Sequence, residues 1–388
     1  MTIKELIKKI EEKNNSNVIC YLTNDNTCFN GQIAADTYPM LFEILEDIGK
    51  TSRIDLFLFS RGGDVIAPWK FVNLMREYTD EFNVLIPYHA NSAATLICLG
   101  ANKLYMTKLA DIGPIDPTLT TPFNPLIDCA KTNVVGNTLG VSVEDVISYH
   151  ELAKNILNLK SENSVLKTFE MLSENVNPIA LGSIYRSYNQ IRSLAHKLLE
   201  LHLDAEKDVI MINRIIENLT EKLYNHRHMI VRSEAEKIFN KNIIQRPDEE
   251  LENLIMGLYN EYVKEMHLHE DKRPANYVGA NEKIIIPSTI LESHNIKFSN
   301  KTELEGSAIK ENGDYTIYTR LKGWEKETNM EKSKELLEYY GLKSSSSVTH
   351  KEENIVVNNS KSDADEIIHQ KVESVKSDFK SKKTEMPN

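Results

Sequence analysis

Long apolar runs are missing from this chain. Among its 388 residues, none of the apolar stretches approaches the roughly 20 consecutive residues that a membrane-spanning helix needs. The first residues, Met1 to Lys13, are charged and amphipathic. They carry neither an apolar core nor a small-residue cleavage site, so no secretory signal is expected. Cysteine is scarce. Cys20, Cys28, Cys98 and Cys129 form no C-x-x-C pair, which speaks against a zinc ribbon or a redox motif. Reduced thiols in the cytoplasm are the simplest expectation. Positive charge is also short. With 46 basic against 57 acidic side chains the formal net charge is −11, which disfavours broad nucleic-acid or anionic-membrane binding. What remains is ordinary for a soluble protein: 41% hydrophobic and 27% charged residues, in a chain long enough for two or three domains.

Helical and strand periodicities alternate along the first hundred residues. Ile3, Leu6, Ile7 and Ile10 mark an amphipathic helix, and Asn17 to Leu22 a buried strand. Pro39 suits a helix start, and the run Met40 to Ile48 stops at Gly49. Ile54 to Phe59 has strand length and breaks at Arg61-Gly62-Gly63-Asp64, after which Val65, Trp69, Val72 and Met75 recur at helical spacing. The unit repeats: strand Phe82 to Tyr88, turn, short apolar helix Ser92 to Gly100, strand Lys103 to Met106. Strands alternating with helices imply an α/β fold with a mostly parallel sheet.

From Ser142 the pattern becomes helical, with one stripe through Leu181, Ile184, Tyr188, Ile191, Ala195 and Leu198. A second stripe runs through Val209, Ile212, Ile216, Leu219 and Leu223, and a further helix is expected from Asp248 to Met266. Lys283 to Ile286 and Tyr315 to Leu321 read as strands, with Asn312-Gly313 as a tight turn between them. The expected organisation is a core at 1–200, a helical extension at 201–245, a small α+β region at 246–343 and a tail at 344–388. That tail is too polar to offset its ordering entropy and is expected to be disordered.

Two glycine-and-serine turns lie about thirty residues apart. Ser60-Arg61-Gly62-Gly63 follows a strand, and adjacent glycines let bare backbone N–H groups approach a ligand. Asn91-Ser92-Ala93-Ala94-Thr95 joins a strand to an apolar helix, which puts a serine hydroxyl beside unpaired helix N–H groups. Taken singly, the first is a tight turn and the second an N-cap worth about 1 kcal/mol. Side by side, their amides would form an oxyanion hole.

At these residues the sequence resembles the Clp protease/crotonase superfamily. Leu56 to Asp64 and Ala90 to Thr95 carry that likeness. Gly100 to Met106, Ile112-Gly113-Pro114-Ile115-Asp116-Pro117, Leu223 to His228 and Arg232 to Ala235 are similar to the serine dehydrogenase proteinase family, relatives of signal peptide peptidase A. The likeness spans Asn17 to Asn242, somewhat over half the chain. It implies a crotonase-like ββα spiral core and a serine peptidase, with Ser92 as nucleophile and Gly62, Gly63 and the Ala93 amide as oxyanion hole. Asp116 stands where the Clp proteases carry their histidine, and an ionised Asp is a poor base near pH 7. Signal peptide peptidases use a Ser-Lys dyad instead. Lys154 is the first match for that lysine and Lys131 the second. The resemblance also implies a homo-oligomer acting on peptides or unfolded chains. No cofactor and no metal is expected.

The remaining readings are plainer. Arg61 replaces the proline usual in the glycine loop and is read as a solvated loop charge ahead of a carboxylate-binding group. His226 and His228, with Glu234, read as structural hydrogen-bonding residues, because H-x-H on a helix points its side chains about 200° apart. His150, His267 and His269 are read as surface residues, and Trp69 as packing behind the glycine turn. Two other functions compete with a peptidase: a non-catalytic scaffold that keeps the fold, and an acyl-CoA enzyme on the same fold.

Overall fold

The computed structural model describes residues 1–115, 118–119, 141–220, 228–270, 273–309, 315–327 and 353–357. Asp116, Lys131, Cys129, His226 and the Asn312-Gly313 turn lie outside them. Two compact units are present. One comprises Met1–Glu270, Ile286–Lys301 and Lys322–Val348; the other comprises Asp271–Ile285, Thr302–Leu321 and Thr349–Asn388.

The first unit opens with α1 (Ile3–Asn14). Thr2 caps it in a reciprocal capping box with Glu5, and Asn15 ends it in a left-handed conformation. Then come β1 (Asn17–Thr23), α2 (Tyr38–Ile48), β2 (Thr51–Phe59), α3 (Ala67–Arg76), β3 (Thr79–Ile86), β4 (His89–Ala90), α4 (Ala93–Leu99), β5 (Lys103–Met106) and β6 (Asp111–Ile112). The strand expected over 82–88 is β3, which stops at Ile86, and the turn expected at His89 to Asn91 instead carries the short β4. Pro87 separates them, since it has no N–H to donate to a ladder.

After a short pair, β7 (Thr118–Leu119) and β8 (Val141–Ser142), come α5 (Val143–Glu151), a π-helical turn at Leu152–Ile156, α6 (Glu162–Asn175), α7 (Pro178–Leu199) and α8 (Val209–Thr220). β9 (Ile230–Val231), α9 (Arg232–Phe239), β10 (Ile244–Gln245) and α10 (Glu249–Met266) follow. The strands β11 (Lys283–Ser293), β12 (Lys297–Gly306) and β13 (Tyr315–Lys326) each have residues in both units. β12 was not expected, because its sequence SNKTELEG is mostly polar. Of the tail at 344–388, the described stretch is β14 (Glu353–Val357), which pairs antiparallel with β13 through Tyr315–Thr319.

The order in the main sheet of the first unit follows from the pairing. β10, β5, β3, β2 and β1 lie side by side and parallel. β11 then adds antiparallel to β1, with Tyr21 opposite Leu291. Successive residues on the strands point to opposite faces. Ile19 and Tyr21, Ile54, Leu56 and Leu58, and Val84 and Ile86 join one core with α2, α3, α4, α7 and α8. Val18, Cys20, Leu22, Phe57, Phe59 and Leu85 join the other with α1 and α10. The result is a three-layer α/β fold whose central strands are buried on both faces, which is why they read as continuous apolar runs.

Polar ties fix the layers. Asp55, fully buried on β2, accepts hydrogen bonds from Asn14, Ser16, Arg53 and Asn83. The C-terminal end of α4 is pinned from two sides. The Arg76 guanidinium donates to the Gly100 carbonyl at 2.7 Å, and His202 Nε2 meets the Leu99 carbonyl at 2.9 Å.

Burial, helped by the nearby Arg76 cation, pushes the His202 imidazole down to about 4. The unfolded chain binds that proton near pH 6.5, so the neutral buried form contributes stability that is complete above pH 6.5. It is lost as pH falls towards 4, and the lost contribution is roughly 3 kcal/mol. Urea unfolding of the wild type between pH 7 and 4 should show this slope. His202→Gln, which can still donate to Leu99, should flatten it; an unchanged slope would contradict the assignment.

Candidate active site

Ser92 occupies the turn between β4 and α4. Its backbone has φ 54° and ψ −113°, a sparsely populated region for a residue with a side chain. Its hydroxyl makes no capping bond to the helix, so the plain N-cap reading fails. The side chain is half-buried, while the helix behind it, Ala93–Leu99, is buried throughout.

The glycine turn does lie against this serine. Gly62 has φ 115°, and a Cβ built on it would stand 2.8 Å from Ser92 Cβ and 3.3 Å from Ser92 Oγ. Only a residue without a side chain permits that approach. Gly63 has φ 154°, and a Cβ there would run into the Ile33 backbone. Two isolated bridges hold the turn in place. Ser60 N–H donates to His89 O, and Asn91 N–H to Ser60 O, each at 3.0 Å. On the other side Ile33 N–H donates to Gly62 O, and Asp64 N–H to Ile33 O.

This geometry separates the three amides named for the oxyanion hole. Gly62 N–H donates to Ser60 Oγ at 3.0 Å, and that hydroxyl is in turn 2.7 Å from Thr23 Oγ1. The Gly62 amide is therefore committed, and it drops out as an oxyanion donor. In the bridge to Ile33, the neighbours of Gly63 make both bonds, so by strand alternation the Gly63 N–H faces away from Ile33. Ala93 N–H is the first orphan donor of α4. Gly63 and Ala93 are the two amides left for a ligand.

The β4–β6 ladder holds a buried hydrogen-bonded His–Asp pair. His89 Nδ1 stands 2.8 Å from Asp111 Oδ2, with His89 stacked on Tyr88 at 3.4 Å between ring centroids. β4 and β6 carry these residues, and their pairing aligns Ala90 with Ile112. β9 pairs with β6 on its other side, Ile112 opposite Ile230. Continuing both registers puts His228 across Pro114 from Ser92. All three line one cleft of about 410 Å³, together with Arg61, Asn91, Gly113 and Met229. His228 Nε2 lies 3.0 Å from the Glu234 carboxylate.

His228 is the residue that sequence reasoning undervalued. Its structural reading stands in part, since it is bonded to Glu234, but it also borders Ser92. Arg61 is likewise more than a solvated charge: it lines the cleft and pairs with Asp25 at 3.1 Å. Lys154 lies in the π-helical turn after α5, exposed, and is not among the residues lining this cleft. Lys131 and Asp116 are outside the described residues. His150 lines a separate apolar groove with α6 and α7.

A serine elbow thus stands against a double-glycine turn at the C-terminal ends of parallel strands in an α/β fold. Residues 1–134 match the family described as ClpP-like SDH-type serine proteinase. Two curated relatives come from Methanocaldococcus jannaschii. The uncharacterized protein MJ0137 is 30% identical over 123 residues, which is 30% of this chain and 42% of that protein. The uncharacterized protein MJ1495 is 35% identical over 80 residues, 20% of this chain and 27% of that protein. The chain thus spans less than half the length of the curated relatives it matches. Among solved structures, two mutants of the 1510-N membrane-bound stomatin-specific protease align at 16% identity and a TM-score of 0.34. The lysine-to-alanine mutant with a substrate peptide covers 61% of this chain and 78% of its own, and the serine-to-alanine mutant covers 61% and 83%.

The strain at Ser92 has a measurable consequence. Ser92→Gly relieves a positive φ without removing a cap, and should raise unfolding stability by about 1 kcal/mol. A drop in stability on urea titration would contradict the strained-elbow geometry.

Proposed function

We propose that this protein is a serine peptidase that hydrolyses peptide bonds through an acyl-enzyme on Ser92. The observation that carries this reading is the Ser92 hydroxyl, uncapped and half-exposed, beside the Gly62-Gly63 turn. Ser92 Oγ attacks the scissile carbonyl carbon as a base removes its proton. The carbonyl electrons move onto oxygen, where the Gly63 and Ala93 N–H groups stabilise the oxyanion. Collapse expels the amine leaving group, which takes up the proton, and water then hydrolyses the ester.

The base is a lysine in the Ser-Lys dyad reading. A lysine amine is neutral near pH 7 only where burial disfavours its charge. Lys154 is exposed, which removes the support for the first-named candidate. The dyad role therefore passes to Lys131, in the chain segment that follows the cleft residue Pro114. A second reading of the base rests on the cleft itself: His228, oriented by Glu234, is an imidazole within the same cavity as Ser92.

The proposal extends to a cytoplasmic, homo-oligomeric enzyme acting on peptides or unfolded chains. Support for the compartment comes from Cys20 and Cys98, buried thiols outside any disulfide among the described residues. Among the described residues no helix is long and apolar enough to cross a membrane. Support for self-association comes from α6 and α7, which leave Leu166, Phe169, Met171, Ile179 and Tyr185 exposed.

Ser92→Ala should abolish both peptide hydrolysis and labelling by a fluorophosphonate, with the circular dichroism spectrum unchanged. Retained activity in a clean preparation would end the nucleophile claim, and a wild type that never labels would leave the scaffold reading. For the base, Lys131→Met should lower kcat about a thousandfold or more, with Lys154→Met near wild type. If His228→Gln shows the thousandfold loss and Lys131→Met does not, the histidine reading replaces the dyad.

A further inference from the structure

We propose that Arg61 makes the Ser92 cleft selective for peptides that carry a carboxylate close to the scissile bond, with Asp25 holding the guanidinium in place. The inference rests on the reading of that cleft as the peptide site, and adds the class of substrate it prefers. Arg61 follows β2 directly and precedes Gly62, so its backbone is fixed by the same bridges that set the glycine turn.

Its pairing is lopsided. Nε and Nη2 both donate to one oxygen of Asp25, Oδ2, at 3.2 and 3.1 Å. The Asp25 side chain is 5% exposed, whereas that of Arg61 is 50% exposed. The carboxylate is therefore inside and the guanidinium faces the cleft. Using Nε and Nη2 on a single oxygen leaves the Nη1 edge of the guanidinium uncommitted among the described residues. Asp25 Oδ1 is buried without a hydrogen-bond partner, so the anion was not placed to satisfy both of its own oxygens.

His269 stands against the same Asp25 oxygen that accepts from Arg61. His269 Nδ1 lies 3.7 Å from Oδ2, and His269 Nε2 is 2.6 Å from the Tyr259 hydroxyl. Tyr259 packs in turn on Phe59, the last residue of β2. The arginine thus has a rigid backing, which is what a planar donor needs to meet a carboxylate on two N–H groups at once.

Among the described residues, no carboxylate other than Asp25 is placed to compete for Arg61 in the cleft. Its described lining is Arg61, Asn91, Ser92, Gly113, Pro114, His228 and Met229, with no carboxylate among them. Glu234 is turned onto His228 and is not part of the lining. An incoming Asp or Glu side chain, or a peptide C-terminus, would meet the uncommitted Nη1 edge of Arg61, with no carboxylate among the described lining residues.

The test is binding to the Ser92→Ala protein, so that it does not depend on turnover. The probes are fluorescent peptides of one sequence carrying Glu, Gln or Lys at each position flanking the intended scissile bond. A second arm compares free and amidated C-termini. The Glu peptides, or the free-acid peptides, should bind at least tenfold more tightly than their neutral partners, and the arm that shows the difference identifies the source of the carboxylate. Adding Arg61→Gln, which keeps a hydrogen bond to Asp25, should bring that ratio to about one. Equal affinity for Glu, Gln and Lys peptides in both arms would overturn the proposal. So would a loss in Arg61→Gln that is the same for every charge, which marks Arg61 as a brace for the loop. Fluorophosphonate labelling of the wild type reports the peptidase reading separately.

Discussion

The bare approach of the Gly62 backbone to Ser92 is the constraint on which the site depends. A single methyl group on Gly62 would stand 2.8 Å from Ser92 Cβ. Everything around the contact keeps the two turns from drifting apart. Ser60 hydrogen-bonds the chain on both sides of Ala90, Ile33 clasps the turn from behind, and the Thr23 and Ser60 hydroxyls close a buried link below. The pocket of backbone amides is thus a by-product of backbone pairing between strand ends and uses no flexible side chain; in the proposed mechanism it is the oxyanion hole.

The sheet supplies the rigidity that such a contact needs. Of five parallel strands, β1, β2 and β3 are buried on both faces, and the short β4, β6 and β9 ladder holds the His89–Asp111 pair. Strain at Ser92 persists because α4 behind it is wholly buried and its far end is tied by Arg76 and His202. Local strain held by a surrounding fold is the usual mark of a pre-organised reactive group.

Much of this was legible residue by residue. The apolar runs at 17–22 and 54–59 carried the parallel core, because double-sided burial leaves an unmistakable mark, and Leu104 and Met106 marked β5 by alternation. The proline at 39, Gly49 and the Asp248 cap carried helix ends. Ser92 and the glycine pair were legible as a pair only because two strand–turn–helix units repeat. What stayed hidden depended on partners far away in the chain. The commitment of the Gly62 amide needed the position of the Ser60 hydroxyl. The place of His228 needed the β6–β9 pairing, more than a hundred residues apart, and nothing in H-x-H announces it. Arg61 looked solvated because its partner, Asp25, lies 36 residues upstream in a loop. Lys154 suited the dyad by resemblance, yet burial, which decides a lysine's usefulness as a base, is a property of the folded chain. β11 enters beside β1 from the far end of the sequence, an antiparallel pairing that no local pattern foretells.

The most direct measurement is a crystal structure of the protein phosphonylated by a fluorophosphonate. The account predicts phosphorus bonded to Ser92 Oγ, with the phosphonyl oxygen about 3 Å from both the Gly63 and the Ala93 nitrogens and the Gly62 nitrogen still on Ser60. A phosphonyl oxygen pointing away from those two amides, or an adduct on another residue, would contradict it.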